Sequence, residues 1–174
     1  MVIIPKYALS FNQAIFFGIV WVSMEDLKKF LIKAKSRGYA SDGESSAIVE
    51  EDSSKSSRFS ENTFSFHDNW FGGEPFGGRE VVWKEKKPFW MMVYYGHDTG
   101  KAEGLIPFLM KCLSKLPSEM PLRGPREFSE GDFQYFNSWH GVIEEFYGEE
   151  KIFYLGEEVY SARYAGGLVD QRKD

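Results

Sequence analysis

The hydrophobic positions of residues 24–36 repeat with the period of an α-helix. They fall at i, i+3, i+4 and i+7, on one face of such a helix: Leu27, Phe30, Leu31 and Ala34. Ser23 can cap its first turn, and Gly38 is expected to end it. A second helix is predicted over residues 102–116, where leucines recur on one side and Pro107 must lie in the first turn or kink the helix.

Residues 41–62 consist mostly of Ser, Glu, Asp and Lys. We interpret them as a long mobile loop within one domain, because the preceding helix could not be stable alone. From residue 63 onward the period changes to two. Strands are predicted over residues 63–73, 79–84 and 89–95, with a turn at 85–88 and a further strand-rich stretch over 133–168.

The two halves of the chain resemble each other. A shift of 70 positions places Glu80 on Glu150, Tyr94 on Tyr164 and Gly96 on Gly166, and a shift of 78 superposes FLIKAKS on FLMKCLS. Two aromatic-rich hairpins could look alike by chance, but matches at turns and strands occur in the same order, which favours duplication. The predicted fold is α+β: a duplicated α-β-β-β unit, with pseudo-repeats over 24–97 and 102–168, forming an antiparallel sheet with two helices packed on one face.

The longest apolar run is AIFFGIVWV at residues 14–22. It is shorter than the roughly 20 residues that a membrane helix needs, and no cleavage site of a signal peptide follows it. Two interpretations stay open for residues 1–23: a buried N-terminal strand, or an extension upstream of a natural start at Met24. In both, residues 24–174 form a single α+β domain.

Composition narrows the class of protein. The 174 residues are 43% hydrophobic and 27% charged with a formal net charge of −5, which is typical of a soluble folded domain. Direct nucleic-acid binding is not expected at this charge, and neither is membrane insertion. The single cysteine, Cys112, excludes an intramolecular disulfide and a Cys-based zinc site. We therefore expect a cytoplasmic protein, and we assign Cys112 no role.

One glutamate occupies the same place in each half. Glu80 and Glu150 each begin a strand among aromatic residues, where a carboxylate is costly unless it is paired or faces a wet cavity. They could anchor a cationic or hydroxylated ligand, or they could be exposed and paired across the sheet with Lys84, Lys151 or Arg163. The predicted ligand-binding residues are Trp70, Glu80, Trp83, Trp90, Tyr94, Glu150, Tyr160 and Tyr164.

Catalytic signatures are mostly missing from the sequence. It contains no phosphate-binding loop, no nucleophile elbow and no His-Glu-x-x-His motif. His67 and His140 lie at similar places before the two hairpins and could approach one another, with Asp68 as a further metal ligand. Histidines at strand ends explain them equally well, so we predict no metal site, no cofactor and no catalytic residue.

A motif spans residues 66–96, FHDNWFGGEPFGGREVVWKEKKPFWMMVYYG. Its features are Asp68, Trp70, Phe-Gly-Gly at 71–73, Phe-x-Gly-x-Glu-x-Val at 76–82 and Pro-x-Trp-x-Met-x-Tyr-x-Gly at 88–96. Together with Ala-Lys-x-x-x-Tyr-Ala at 34–40 and Tyr-x-x-Arg-Tyr-x-Gly-Gly at 160–167, it resembles an uncharacterised prokaryotic family of unknown activity. The resemblance covers about residues 24–168. Some members of that family carry a preceding helix-turn-helix regulatory domain, which one helix and one strand of this chain cannot supply.

A more distant likeness is to the GyrI-like (SHS2-type) effector-binding fold, a duplicated β-α-β-β. If residues 14–22 form a strand, the predicted order β-α-β-β-β-α-β-β-β is close to that plan. Such domains bind drug-like cations in an aromatic cleft with a glutamate between their halves. The likeness implies a site of that kind here, at the level of fold alone.

These observations predict a small-molecule-binding or sensing module without catalysis, whose ligand is a small cationic or aromatic compound. Two alternatives stay open. One is an enzyme that uses Asp68, Glu80 or His67 as a general acid or base, which a strongly raised carboxylate pKa in a deep pocket would favour. The other is a structural or interaction module that forms a homodimer through an exposed strand edge.

Overall fold

The structure, a computed structural model, describes residues 23–40 and 47–172. The helices are α1 (Met24–Ala40) and α2 (Leu105–Leu113). The strands are β1 (Ile48–Val49), β2 (Lys55–Glu61), β3 (Phe64–Gly72), β4 (Phe76–Lys84), β5 (Lys87–Asp98), β6 (Glu127–Glu130), β7 (Phe133–Val142), β8 (Glu145–Tyr154) and β9 (Glu157–Leu168). The protein is therefore α+β, with two helices and a nine-stranded open antiparallel sheet in the described segments.

The sheet is built from two meanders that meet at its centre. Its strand order is β1-β2-β3-β4-β5-β9-β8-β7-β6, so that β2–β5 and β6–β9 are joined by the pairing of β5 with β9. In that pair Tyr94 lies directly opposite Tyr164. These two residues are equivalent under the shift of 70, so a pseudo-twofold axis passes between them.

The pairing pattern repeats around this axis. Asp68 pairs with Glu80 in the first half, and Asn137 pairs with Glu150 in the second. The last hairpin of each half closes through a two-residue turn with positive φ at both positions, 49° and 70° at residues 85–86 and 51° and 84° at residues 155–156. Such turns match the right-handed twist of the flanking strands.

Both helices pack on the same face of the sheet. The predicted apolar face of α1 is buried with Phe66, Val82 and Trp90, while α2 is buried with Tyr135, Ile152 and Tyr160. Alternate residues of a strand share a face, and Tyr160 pairs with Asp98, which lies an even number of positions from Trp90 in β5. The helices therefore cover one face of the sheet together.

The number of strands differs from the prediction, because three strands were expected after each helix, whereas α1 is followed by β1 and the meander β2–β5 and α2 by the meander β6–β9. The interpretation of residues 41–62 as one long loop was wrong over β1 and β2, and β6 was also missed. The inner face of β2 carries one large aromatic, Phe59, which stacks on Phe30 at 5.6 Å. In β6 the corresponding residue is Phe128, 5.7 Å from Phe108. A single apolar residue per strand gives no visible alternation.

The helix boundaries also differ from the predictions. Helix α1 continues through Gly38 to Ala40, since a glycine weakens a helix without necessarily ending it. Helix α2 is shorter than predicted because Gly104, at φ 85°, forms its N-cap and Ser114 its C-cap. Pro107 lies in the first turn, as predicted. The question of an N-terminal strand or extension falls on residues 1–22, outside the described residues.

Candidate ligand-binding site

A cavity of about 210 Å³ lies between α1 and α2, over the strands of the first half. Five of the side chains that line it are aromatic: Phe66, Trp70, Phe76, Tyr94 and Tyr160. Helix α2 contributes an apolar wall of Ile106, Leu109, Met110 and Leu113, and polar side chains come from Lys35, Ser57, Asp68, Glu74 and Arg123. The volume is below the roughly 300 Å³ at which sites for drug-sized ligands begin, so the cavity suits a smaller molecule.

Asp68 is the half-buried carboxyl group in the cavity wall. Its Oδ1 accepts a hydrogen bond of 2.8 Å from the hydroxyl of Tyr94. The Tyr94 ring can reach it because it lies across Gly78, where a Cβ would be 2.5 Å from the hydroxyl oxygen. Burial raises the pKa of Asp68 to about 7, the nearby Glu80 carboxylate raises it as well, and the Tyr94 hydrogen bond opposes the shift. The group can therefore gain or lose a proton near neutral pH.

Glu80 lies next to Asp68 on β4 and is fully buried. Lys35 of α1 forms a buried ion pair with Glu80, with 2.6 Å between Nζ and Oε2. The lysine ammonium donates to the carbonyl of Leu122, and burial lowers the pKa of Lys35 against the opposing effect of Glu80. Glu80 Oε1 has no hydrogen-bond partner within the described segments. This polar cluster is therefore only partly satisfied.

Glu150, the equivalent residue of the second half, is fully satisfied. Arg123 donates to its Oε1 through Nε at 3.0 Å and through Nη2 at 2.6 Å. Tyr160 donates to the same oxygen at 2.7 Å and Tyr135 donates to Oε2 at 2.5 Å. Burial, reinforced by the charge of Glu150, raises the pKa of both tyrosines well above the usual value, so both hydroxyls keep the protons that they donate.

The structure brings some of the predicted site residues together and separates others. Trp70, Tyr94 and Tyr160 line the cavity. Glu80 and Glu150 are buried on the same face and do not line the cavity, whereas their partners Lys35 and Arg123 do. The alternative cross-strand partners were wrong for Lys151 and Arg163, which pair with Glu158 and Glu149.

The remaining three predicted residues lie outside the cavity lining. Trp90 is fully buried beneath α1, where its Nε1 donates to the carbonyl of Ile143. Tyr164 is buried and donates to Asn137 Oδ1 at 2.6 Å, as Tyr94 donates to Asp68. Trp83 lies on the opposite face of the sheet, where its ring is 6.4 Å from that of His67.

Sequence reasoning missed Lys35, Arg123 and Ser57. For Lys35 a signal existed, because it follows Leu31 by four positions and so continues the apolar face of α1. For Arg123 there was none, since it lies in the long connection between α2 and β6. Ser57 could be recognised only once the register of β2 against β3 was known.

The histidines do not form a common site. His67 is half-buried beside Trp83, whereas His140 stacks on Tyr147 at 4.9 Å. Their register positions also differ, because His67 pairs with Val81 and the equivalent position of the second half is Phe136. No group of three or more potential metal ligands occurs among the described residues. Burial raises the pKa of the Cys112 thiol to about 12, so the thiol is protonated at neutral pH.

The fold and the cavity together define an α+β domain with an aromatic, carboxyl-bearing cavity between two helices on one face of an antiparallel sheet. The family described as a domain of unknown function, DUF5680, matches residues 68–169, 102 of the 174 residues, and the chain belongs to this family. The resemblance to an uncharacterised family is confirmed to that extent.

No curated protein and no solved structure matches the chain. The likeness to the GyrI-like fold therefore stays a prediction. The five strands that follow α1 and the four that follow α2 differ from the two that follow the helix in a β-α-β-β unit. Within the described part of the chain, neither helix is long and apolar enough to cross a membrane.

Proposed function

We propose that this protein reversibly binds a small amphipathic molecule in the cavity between α1 and α2. The observation that carries the proposal is a half-buried carboxyl group, Asp68, set among aromatic side chains at an open cavity. Such sites combine a mostly apolar lining with a few polar groups that orient the ligand. The aromatic rings would bury the body of the ligand, and Asp68 would bind its polar end.

The contrast between the two halves supports this proposal. We infer that the halves are copies of one duplicated unit, because their pairing registers repeat around the pseudo-twofold axis. In the second half the connection after α2 contributes Met120 and Leu122 to the same buried cluster as Phe146 and Tyr164, the equivalents of Phe76 and Tyr94. The first half has an open cavity at the corresponding position.

Asp68, rather than Glu80, is the carboxyl group that we assign to ligand contact. Glu80 is paired with Lys35 and does not itself line the cavity. Asp68 lines the cavity directly and keeps a second carboxylate oxygen beyond the one that accepts from Tyr94. Glu80 would then act indirectly, because its negative charge influences both Asp68 and Lys35.

Thermal unfolding with a small set of benzene derivatives tests the proposal: benzyl alcohol, benzoate and benzamidine. At least one should raise the melting temperature of the wild-type protein in a saturable way. Met110→Trp, which fills the cavity from α2, should remain folded and lose the effect. Val93→Trp, on the exposed opposite face of β5, is the control and should keep it. The proposal fails if none of the compounds stabilises the wild type. It also fails if a compound raises the melting temperature of Met110→Trp as much as that of the wild type.

An acid–base enzyme is the second candidate, and the pKa of Asp68, raised to about 7, favours it. His67, one of its predicted groups, lies on the opposite face and would take no part. Recovery of the bound compound unchanged after long incubation with the protein would support reversible binding. Conversion of the compound, abolished in Asp68→Asn, would support the enzyme instead.

A further inference from the structure

The second half of the molecule contains an arginine at the place that corresponds to the cavity wall. The guanidinium carbon of Arg126 lies 3.7 Å from the centre of the Trp139 ring. The backbone carbonyl of Arg126 accepts a hydrogen bond of 2.8 Å from the backbone amide of Asn137. This bond continues the pairing of β6 with β7 by one residue. A planar cation therefore stacks on a tryptophan beside a side-chain amide.

The first half repeats this arrangement without the arginine. Trp70 pairs with Gly78 as Trp139 pairs with Gly148, so the two tryptophans are equivalent. Ser57 pairs with Asp68, which is the equivalent of Asn137, so Ser57 stands at the register position of Arg126. Ser57, Asp68 and Trp70 all line the cavity. The side chain that the second half places on its tryptophan is thus shortened to a hydroxymethyl group.

We propose that the ligand presents a planar cationic group, a guanidinium or an amidinium, to the face of Trp70, with Asp68 as its counter-ion. This inference rests on the proposed function and specifies its ligand class. In the first half the ligand would take the place that Arg126 takes in the second. A planar delocalised cation stacks on an aromatic face and can donate two parallel hydrogen bonds to one carboxylate.

The charges around the cavity agree with a cationic ligand. Four acidic groups, the cavity-lining Asp68 and Glu74 and the buried Glu80 and Glu150, accompany two basic groups, Lys35 and Arg123. Lys35 and Arg123 are engaged by Glu80 and Glu150, and Glu80 Oε1 still has no hydrogen-bond partner among the described residues. The second half has the neutral Asn137 where the first has Asp68, so the additional acidic group lies where the arginine is missing.

Calorimetric titration of the full chain with benzamidine and with benzamide, its neutral analogue of the same shape, tests the inference. We expect benzamidine to bind about tenfold or more tightly than benzamide, as a hydrogen-bonded charge pair would give. Asp68→Asn reproduces the side chain of the second half and should reduce that preference to about twofold or less.

A second variant fills the space directly. Ser57→Arg supplies the side chain that the second half carries, so it should abolish benzamidine binding and raise the melting temperature. Ser60→Arg adds the same charge on the exposed face of the same strand and should change neither. If Ser57→Arg does not fold, the comparison of benzamidine with benzamide in Asp68→Asn still decides.

The outcomes separate this inference from the proposed function. Equal binding of the two compounds, tighter binding of benzamide, or a preference that survives Asp68→Asn would overturn the cationic ligand. In each of these cases, loss of the remaining binding in Met110→Trp would still support the cavity as the binding site. If benzamidine does not bind but benzyl alcohol or benzoate does, the cationic inference fails and the proposed function stands. If no compound binds, both fail.

Discussion

The two halves bury one glutamate each at the same position, but they satisfy it differently. Glu150 accepts hydrogen bonds from Arg123, Tyr135 and Tyr160. Glu80 has one cationic neighbour, Lys35, and its Oε1 has no partner among the described residues. The positions of the two tyrosines are held in the first half by Phe66 and Trp90, which have no hydroxyl group.

The origin of the cation also differs between the halves. In the first half the cation is Lys35 of helix α1. The equivalent position of α2, under the shift of 78, is Leu113, which has no charge. In the second half the cation comes from the connection that follows α2. A fully satisfied polar network makes a core rigid, whereas a partly satisfied one beside a cavity can change when a ligand binds. Under the proposed function, the second half would be the structural half and the first the binding half.

The largest effect is expected from the Lys35–Glu80 pair. Lys35→Met keeps a long apolar side chain but leaves a buried carboxylate without its cation, which should lower the free energy of unfolding by about 3–5 kcal/mol. Urea denaturation at pH 7 measures the change. Lys33→Met is the control. Lys33 Nζ lies 2.7 Å from Glu61 Oε2, but both side chains are exposed, so this ion pair should contribute about 1 kcal/mol or less to the free energy of unfolding.

The same substitution in the second half sharpens the comparison. Arg123→Met leaves Glu150 with hydrogen bonds from two tyrosines, so the loss should be smaller than for Lys35→Met. Equal losses in the two halves, or a larger loss at Arg123, would contradict the view that only Glu150 has a complete set of donors.

The next effect is a dependence of stability on pH that only the first half should show. The pKa of Asp68 is about 7 in the folded protein against an ordinary value of 3.8. Between these values the folded state keeps a proton that the unfolded state has lost, so the contribution of Asp68 to the free energy of unfolding should fall as the pH rises from 5 to 7, while the lowered pKa of His67 contributes in the opposite direction. A fall of about 2 kcal/mol over this range is expected.

Asp68→Asn should remove this fall, because an amide does not titrate and can still accept the hydrogen bond from Tyr94. Urea denaturation of both proteins at pH 5, 6 and 7 measures the difference in slope. Asp132→Asn, at an exposed turn, should keep the slope of the wild type. Parallel curves for the wild type and Asp68→Asn would show that Asp68 titrates in its ordinary range.

A third effect concerns the tyrosine that the first half lacks. Tyr135 donates to Oε2 of Glu150, and Tyr135→Phe gives the second half the residue type of Phe66. The loss of one hydrogen bond to a buried carboxylate should cost about 1.5–2 kcal/mol in unfolding free energy. Tyr147→Phe, at a ring that is 62% exposed on the other face, should change stability by less than about 0.5 kcal/mol. A neutral Tyr135→Phe would mean that Arg123 and Tyr160 suffice.

The sequence predicted those parts of the fold that local patterns encode. The apolar face of α1, the β4–β5 hairpin and the first-turn position of Pro107 each follow from residues a few positions apart. Strands β2 and β6 were missed because each places a single large aromatic, Phe59 or Phe128, in the core. Their strand structure depends on pairing with a neighbour, which no local pattern shows.

The candidate site was predictable where it repeats and unpredictable where the repeat is broken. Glu80 and Glu150 were found together because they align, and both are buried on the helix-covered face. Arg123 lies far from Glu150 along the chain and could not be paired with it in advance. The cavity depends on the small side chain of Ser57, because the equivalent position of the second half carries the long side chain of Arg126. Such a difference has meaning only after the registers of both halves are known.

The smallest effect is expected from a substitution that introduces into the first half the tyrosine hydroxyl found beside the glutamate of the second half. Phe66→Tyr places a hydroxyl group at the position from which Tyr135 donates to Glu150, and Glu80 Oε1 has no hydrogen-bond partner among the described residues, so the free energy of unfolding should rise by about 1 kcal/mol. Urea denaturation at pH 7 measures it, with Phe71→Tyr on an exposed ring as the control. A loss of stability would show that Phe66 and Tyr135 are not interchangeable. The first half would then be unable to satisfy its glutamate by the means that the second half uses.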